Sequence, residues 1–376
     1  MHKYSFVLIS VALFSLSGCI EKFYPDEVEL KTGSLVVVAH LSNLPGVQSI
    51  YLSRSSTLNY PEYDPLSGCY VEIETINGDS RVFEESVPGN YCCPLDKEFL
   101  RTGQEYRIGF VTPEGERYES AFERMHPAPD IDSLYYIIED GIQFYIDLEI
   151  EKDSGRYIRW QLIETFEIRN PDYPALIFDV DRKMKDLPDT SSWRNCWITL
   201  ELPEIYTLDL GNVEGGYYRK KHLNYVSTNT RRLHYRYSLL VRQLSLSKAA
   251  FWYWDKLGKN VQSTGNLFDG QPSLTPSNIC NVNNEEELII GYFSISGVSE
   301  SRIFVENVPE LKIEKDPGYC APGDYPRFLY YFHLEYLPVY LATAKVDGKR
   351  KTGEVNKYCV DCREYKGSSH IKPEFW

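Results

Sequence analysis

The chain lacks most of the features that announce a reaction. Its seven histidines are scattered at positions 2, 40, 126, 222, 234, 333 and 370, with no His-Glu-x-x-His run and no close pair. This excludes the zinc-protease arrangement in which two histidines share one helix face. There is no Gly-x-Ser-x-Gly elbow, no phosphate-cradling Walker loop and no dinucleotide fingerprint. Carboxylate pairs of the kind glycosidases use can be drawn from 54 acidic residues in any β protein, so they decide nothing. No catalytic residue, metal or cofactor is therefore expected. Positive charge is also short: the net charge is −14, which disfavours phosphate neutralisation and hence nucleic-acid binding. No internal repeat or coiled coil is apparent, and no membrane-length apolar run follows the short one at the start.

That first run is informative. His2 and Lys3 precede an apolar stretch from Phe6 to Leu16, and Leu16-Ser17-Gly18-Cys19 closes it. The stretch is well short of the roughly 20 residues a bilayer crossing needs, so residues 1–18 read as a signal peptide. Leu-Ser-Gly-Cys resembles the bacterial lipobox, in which the cysteine thiol is diacylated and the chain is cut before it. Cys19 is thus the expected lipidation site and acyl chains the expected membrane contact, since an acidic chain lacks a basic face for anionic lipid. Residues 19–33 form a tether carrying Glu21, Asp26, Glu27 and Glu29.

From Ser34 the pattern alternates with period two or runs in short apolar bursts between turn residues. Leu35 to Ala39, Ser49 to Ser53, Cys69 to Glu74, Arg81 to Glu84, Gly89 to Cys92, Glu105 to Val111 and Arg117 to Ser120 read as strands, with a hairpin turn at Asn77-Gly78. About seven short strands in about 90 residues predict an immunoglobulin- or prealbumin-like β-sandwich over residues 34–126. Pro127-Ala128-Pro129 marks a linker, 127–132. The remaining 133–376 read as a larger β-rich domain, with strands at Ser133 to Ile138, Gln143 to Glu149, Tyr157 to Glu167, Leu239 to Leu244, Leu288 to Ser294 and Arg302 to Val305. One helix stands out, Ser245 to Val261. Ser247 is its N-cap, and Ala250, Phe251, Trp254, Leu257 and Val261 fall at helical spacing as a packing face. The fold class expected is mainly β. The 30 tyrosines, 17 phenylalanines and 6 tryptophans suit sandwich cores, and exposed ones could stack on sugars or peptides.

With Cys19 lipidated, Cys69, Cys92, Cys93, Cys196, Cys280, Cys320, Cys359 and Cys362 remain. An even number in an exported chain reads as a disulfide framework whose connectivity is open. Adjacent Cys92 and Cys93 face opposite sides of a strand and so take different partners, with Cys69 the natural partner for one. Cys359-x-x-Cys362 also admits a redox dithiol, or a zinc site completed by Cys320 and His370. The basic cluster Arg219-Lys220-Lys221-His222 with Arg231-Arg232 reads as a solvated hairpin or as a contact for an acidic partner. His234 lies in an alternating run expected to be a strand.

The chain resembles the Bacteroidota lipoproteins of domain-of-unknown-function family 4249. The resemblance rests on the strand pair from Ser34 to Ser53, on Gly68-Cys69-Tyr70-Val71-Glu72-Ile73 with Gly89-Asn90-Tyr91, and on the helix running into Leu267-Phe268-Asp269. It rests also on Ile290-Gly291-Tyr292-Phe293-Ser294, and most on the ending, Cys359-Val360-Asp361-Cys362-Arg363 with Lys372-Pro373-Glu374-Phe375-Trp376. Doubled Cys92-Cys93 departs from the pattern. The resemblance implies an outer-membrane lipoprotein, held by its N-terminal lipid on the periplasmic or cell-surface face. It further implies a non-catalytic accessory, or a ligand- or partner-binding component, of uptake through a TonB-dependent transporter. The alternatives are a structural or adhesive surface lipoprotein and, further off, a hydrolase on a β scaffold.

Overall fold

The computed structural model describes residues 33–376 except 57–61, 152–154, 171–174, 182, 187–192, 212, 214–215, 263–274, 307, 312, 314–319, 321, 324–336 and 347. The signal run, Cys19, most of the tether and Leu267-Phe268-Asp269 lie outside the described residues. The fold is mainly β and rich in sandwiches, as the alternation predicts, and no described helix is long and apolar enough to cross a membrane.

Nine strands make one continuous sheet path, Ile279–Asn281, Arg117–Ser120, Glu105–Val111, Tyr70–Thr75, Ser80–Val87, Asn90–Leu95, Gly46–Arg54, Leu35–Ser42 and Ile289–Ser296, and Asp64–Pro65 and Glu123–Arg124 pair beside it to complete an eleven-stranded sheet. Ser80–Val87 turns the path over: Phe83 pairs with Val71 on one side, and Glu84 pairs with Cys92 on the other. The path thereby encloses a single core, with Leu35, Val37, Ala39 and Leu41 alternating into it against Ile50, Val71, Ile108 and Phe110. Its two ends meet. Asn278 accepts from the Phe293 N–H at 2.9 Å and donates to the Phe293 carbonyl at 2.9 Å, so one side chain imitates a rung of backbone ladder.

This sandwich corrects the expected boundary at 126. Ile289–Ser296 pairs in parallel with all of Leu35–Ser42, and Ile289, Phe293 and Ile295 are buried in the same core. A parallel pair needs a long crossover, and here most of a second sandwich is the crossover. Period-two reading finds the strand but carries no information on its partner, which is why the sequence put it elsewhere. Gly291, at φ +119°, allows the pairing: a Cβ there would stand 1.8 Å from the Val37 carbonyl oxygen.

The second sandwich packs a three-stranded sheet, Asp130–Ile138, Gly141–Glu149 and Tyr217–Ser227, on a six-stranded one. The latter runs Val298–Val305, Tyr237–Leu246, Tyr157–Arg169, Asn195–Glu201 and Ser368–Ser369, with Tyr206–Asp209 alongside Tyr157–Arg169. Ile142, Phe144, Ile158, Trp160, Leu239 and Val241 fill the space between. A small four-stranded sheet, Met184–Asp186, Ala175–Phe178, Val339–Val346 and Lys349–Val355, lies beyond it. The expected 127–132 linker is fastened rather than loose. Pro127 and Pro129 carbonyls accept from Gly155 N–H at 2.7 Å and Gln243 Nε2 at 2.6 Å, and strand pairing begins at Asp130. The return crossing runs beside it, Gly297 N–H donating to the His126 carbonyl at 3.0 Å.

The eight-cysteine framework is also corrected. Cys196–Cys362 and Cys320–Cys359 are bridged, with Cα separations of 5.7 and 5.5 Å, while Cys69, Cys92, Cys93 and Cys280 are free thiols. The reason is register. Cys92 stands across from Ser49 and Glu84, Cys93 across from Gln48, and Cys280 across from Glu119, so no cross-strand position offers a second thiol. Cys93 points into the core and Cys92 to the other face, as the pleat requires, but Cys69 reaches neither; its amide donates to the Tyr91 hydroxyl at 3.0 Å. Burial pushes the Cys69 and Cys93 thiols up, which keeps them protonated and unreactive.

Candidate functional site

Lys248–Gln262 is the hub at which both sandwiches meet. Ser247 starts it as expected: its hydroxyl accepts from the Ala250 N–H at 3.0 Å and its carbonyl from the Phe251 N–H at 2.9 Å. The run Phe251-Trp252-Tyr253-Trp254 divides between two sides of the helix. Phe251 and Trp254 are buried with Ala250 and half-buried Leu257, packing against Tyr157 and Ile205 of the second sandwich. Val261, expected on this face, is 59% exposed instead. Trp252, 54% exposed, and Tyr253 turn the other way.

There they form one wall of an open groove of about 590 Å³, within the range of small-ligand sites. Ala249, Lys256 and Lys259 continue the helix wall at three- and four-residue spacing, and Ser277, Asn278 and Tyr292 form part of the opposite wall. Tyr253 and Tyr292 hold each other at 4.8 Å between ring centroids. Below them Glu123 is buried, accepting from the Tyr292 hydroxyl at 2.6 Å and Asn278 Nδ2 at 3.3 Å. Burial raises its carboxyl above the ordinary range, and these hydrogen bonds oppose that rise. The groove thus offers an aromatic wall, a rim on which Lys259 is paired with Asp255 at 2.6 Å, and amide and hydroxyl groups. The arrangement suits binding of a ligand with a flat apolar face and polar edges.

On the packing side, His40 from the first sandwich lies 4.6 Å from Trp254 by ring centroids, its Nδ1 3.1 Å from Ser294 Oγ. Arg159 from the second sandwich stacks on the same indole, 3.7 Å from its centroid. Burial, with Arg159 adding positive charge beside it, pushes the His40 imidazole down to about 3, so it is neutral near pH 7.

The other residues singled out by sequence fall elsewhere. Cys359-x-x-Cys362 is not a local dithiol. Its cysteines sit in successive single turns, Lys357–Cys359 capped by Asn356 and Cys362–Glu364 capped by Asp361, which aim them into different cores. Cys320 is spent on Cys359 and Cys362 on Cys196, which removes three of the four imagined zinc donors. Among the described residues no group of three or more His, Cys, Asp or Glu is placed to hold a metal. The basic cluster is largely answered within the chain. Arg219 pairs with Asp132 and Asp147, the Lys220 N–H donates to Asp147 at 2.7 Å, and Arg232 reaches buried Glu164 at 3.1 Å. Lys220 adopts φ +55° at a bulge against Gly141–Glu149. His234 follows a single turn, Arg231–Leu233, rather than lying in a strand. Trp252, Tyr253 and Tyr292 were missed as site residues, although the unbroken aromatic tetrad held the signal: four consecutive residues cannot share one helix face.

Residues 20–302 match the model of the family described as Domain of unknown function (DUF4249). The chain belongs to that family. The match stops short of the terminal cysteines and aromatics on which the resemblance leaned most. Among solved structures, a two-domain fibronectin type-III segment of chicken tenascin is 10% identical, covering 57% of this chain and 91% of that one at a TM-score of 0.18. A DUF4785 family protein of Legionella pneumophila is 11% identical over 56% of this chain and 53% of that one, at 0.21. The FN1–FN3 domains of chicken CNTN1 are 10% identical over 56% and 60%, at 0.16. Scores this low place no function on the chain. No curated protein matches it.

Proposed function

We propose that the protein is a non-catalytic lipoprotein of the outer membrane, anchored through Cys19, that binds ligand as the accessory partner of a TonB-dependent transporter. The observation that carries the anchoring is Leu16-Ser17-Gly18-Cys19 at the end of a short apolar run behind a basic start. Membership of the family supports the setting, since the chain resembles lipoproteins found alongside such transporters. The groove beside Trp252 supports the binding role, because its aromatic wall and hydrogen-bonding groups suit a sugar ring or a peptide side chain. The test has two arms in the native cell. Metabolic labelling with an alkyne fatty acid should tag the protein and fail on Cys19→Ala, which should also leave the membrane fraction. Mild solubilisation should bring a transporter barrel down with the wild-type chain; repeated isolation of the chain alone would overturn the partnership.

A further inference from the structure

Building on the binding role of the groove beside Trp252, we propose that its ligand is an uncharged saccharide, with one sugar ring laid on the indole. The four aromatics in a row are not used alike. Phe251 and Trp254 are buried, and Tyr253 leans on Tyr292 at 4.8 Å, whereas Trp252 is 54% exposed. Ala249, one turn before it on the same wall, has only a methyl group and cannot cover the ring. A broad apolar surface is thus left in water, where covering it is favourable. A sugar ring suits it, since its C–H groups lie on one face and its hydroxyls point outward. The groove, at about 590 Å³, has room for it.

Charge and main chain narrow the class. Asp255 accepts from Lys259 Nζ at 2.6 Å and from Thr207 Oγ1 at 3.3 Å, and Lys256 is not free either. A charged ligand would only trade one ion pair for another. An extended peptide needs main-chain partners along its length, or its own N–H and C=O groups lose water without return. Neither wall supplies them. The helix satisfies its backbone internally. Opposite it, Pro276 has no N–H, the Asn278 carbonyl accepts from the Ala121 N–H at 2.7 Å, and the Asn278 amide holds the Phe293 backbone at 2.9 Å from both ends. Sugar hydroxyls ask for less. The Ser277 hydroxyl accepts from the Ile279 N–H at 3.1 Å and keeps its proton to donate, and the open side leaves the other hydroxyls in water.

The experiment is isothermal titration calorimetry of the full chain, in a detergent without a sugar head group. The probes are cellohexaose, maltohexaose and mannohexaose, then hexagalacturonate as the charged counterpart and acetyl-Ser-Phe-Ser-Phe-Ser-amide as the uncharged peptide. At least one neutral hexasaccharide should bind saturably, and hexagalacturonate and the peptide more weakly. Trp252→Ala should weaken that binding by about tenfold. Ala249→Trp, at an exposed helix position, should weaken it too by crowding the indole, so the test survives if one variant fails to fold. No saturable heat from any neutral hexasaccharide would overturn the proposal, as would an affinity unmoved by both variants. Tighter binding of hexagalacturonate or the peptide, lost in Trp252→Ala, overturns the saccharide while leaving the groove its binding role. None of these outcomes touches co-purification with a transporter, so the two readings fail separately.

Discussion

The two sandwiches recover distant chain segments by opposite means. The first takes back Ile289–Ser296 across some 250 residues without a covalent tie, through an eight-residue parallel register and three core side chains. The second takes back the segment from Lys357 onward with two disulfides, Cys196–Cys362 spanning 166 residues and Cys320–Cys359 spanning 39. The difference follows from how much each returning segment can bury. Phe293 and Ile295 vanish into a core, whereas the tail contributes single turns and a two-residue pairing of Ser368–Ser369 with Trp197 and Ile198. A segment with few apolar contacts gains most from a cross-link that restricts the unfolded chain. Cys69, Cys92 and Cys93 stay unbridged in a sandwich whose closure does not depend on them.

The largest expected effect strikes the strand-closed half. Gly291→Val meets both the positive φ and the Val37 carbonyl, and strain plus overpacking together should cost about 3–5 kcal/mol. Hydrogen exchange read peptide by peptide should show Leu35–Ser42 and Ile289–Ser296 losing protection while Tyr157–Arg169 keeps it. Equal loss in both sandwiches would mean that the hub helix couples them into one cooperative unit, and the comparison drawn above would fail.

A somewhat smaller effect is expected in the bridged half. Cys196→Ser with Cys362→Ser opens the longer loop and should cost about 2–5 kcal/mol. The loss should be confined to the second sandwich. Protection should fall at Asn195–Glu201 and Ser368–Ser369, and the stacking of Arg302 on Phe375, now at 3.5 Å, should be released. Retained protection throughout would show that packing of the tail, rather than the cross-link, holds it.

The same contrast marks what was legible in the sequence. Strand positions were, because alternation is a local signal: Glu105–Val111 and Arg117–Ser120 fall where the pattern put them. The Ser247 cap was, because its hydroxyl acts within one helical turn. Partnership was not. Nothing in Ile289–Ser296 distinguishes an edge beside Leu35–Ser42 from one in its own neighbourhood, and evenness of the cysteine count says nothing of which thiols face each other. The site was half legible. The packing stripe of the helix follows from spacing, but the groove behind it is made by Ser277, Asn278 and Tyr292, which meet Trp252 and Tyr253 only because the first sandwich reclaims that stretch.

The smallest effect sharpens the comparison at the seam between the halves, where His40 of the first sandwich faces Arg159 of the second across Trp254. An unfolded imidazole takes its proton near 6.5, whereas folded His40 does not until about 3. The unfolded chain therefore binds the extra proton in that window, and the stability His40 contributes is full above 6.5 and drains as pH falls toward 3. Glu123, whose carboxyl is raised by burial, works in the opposite sense, its contribution being present below 4.5 and lost as pH rises through its folded value. His40→Gln isolates the first effect: melting temperatures of wild type and variant, compared from pH 7.5 down to pH 4, should converge on acidification as the wild type loses its advantage. A constant difference across that range would show that His40 is not held neutral by the fold. Arg159→Met removes the charge beside the imidazole while leaving the burial, which lifts the folded His40 value back toward 6.5, so the acid loss should still begin near 6.5 but be smaller and level off at a higher pH. That makes the seam responsive to a residue of the other sandwich.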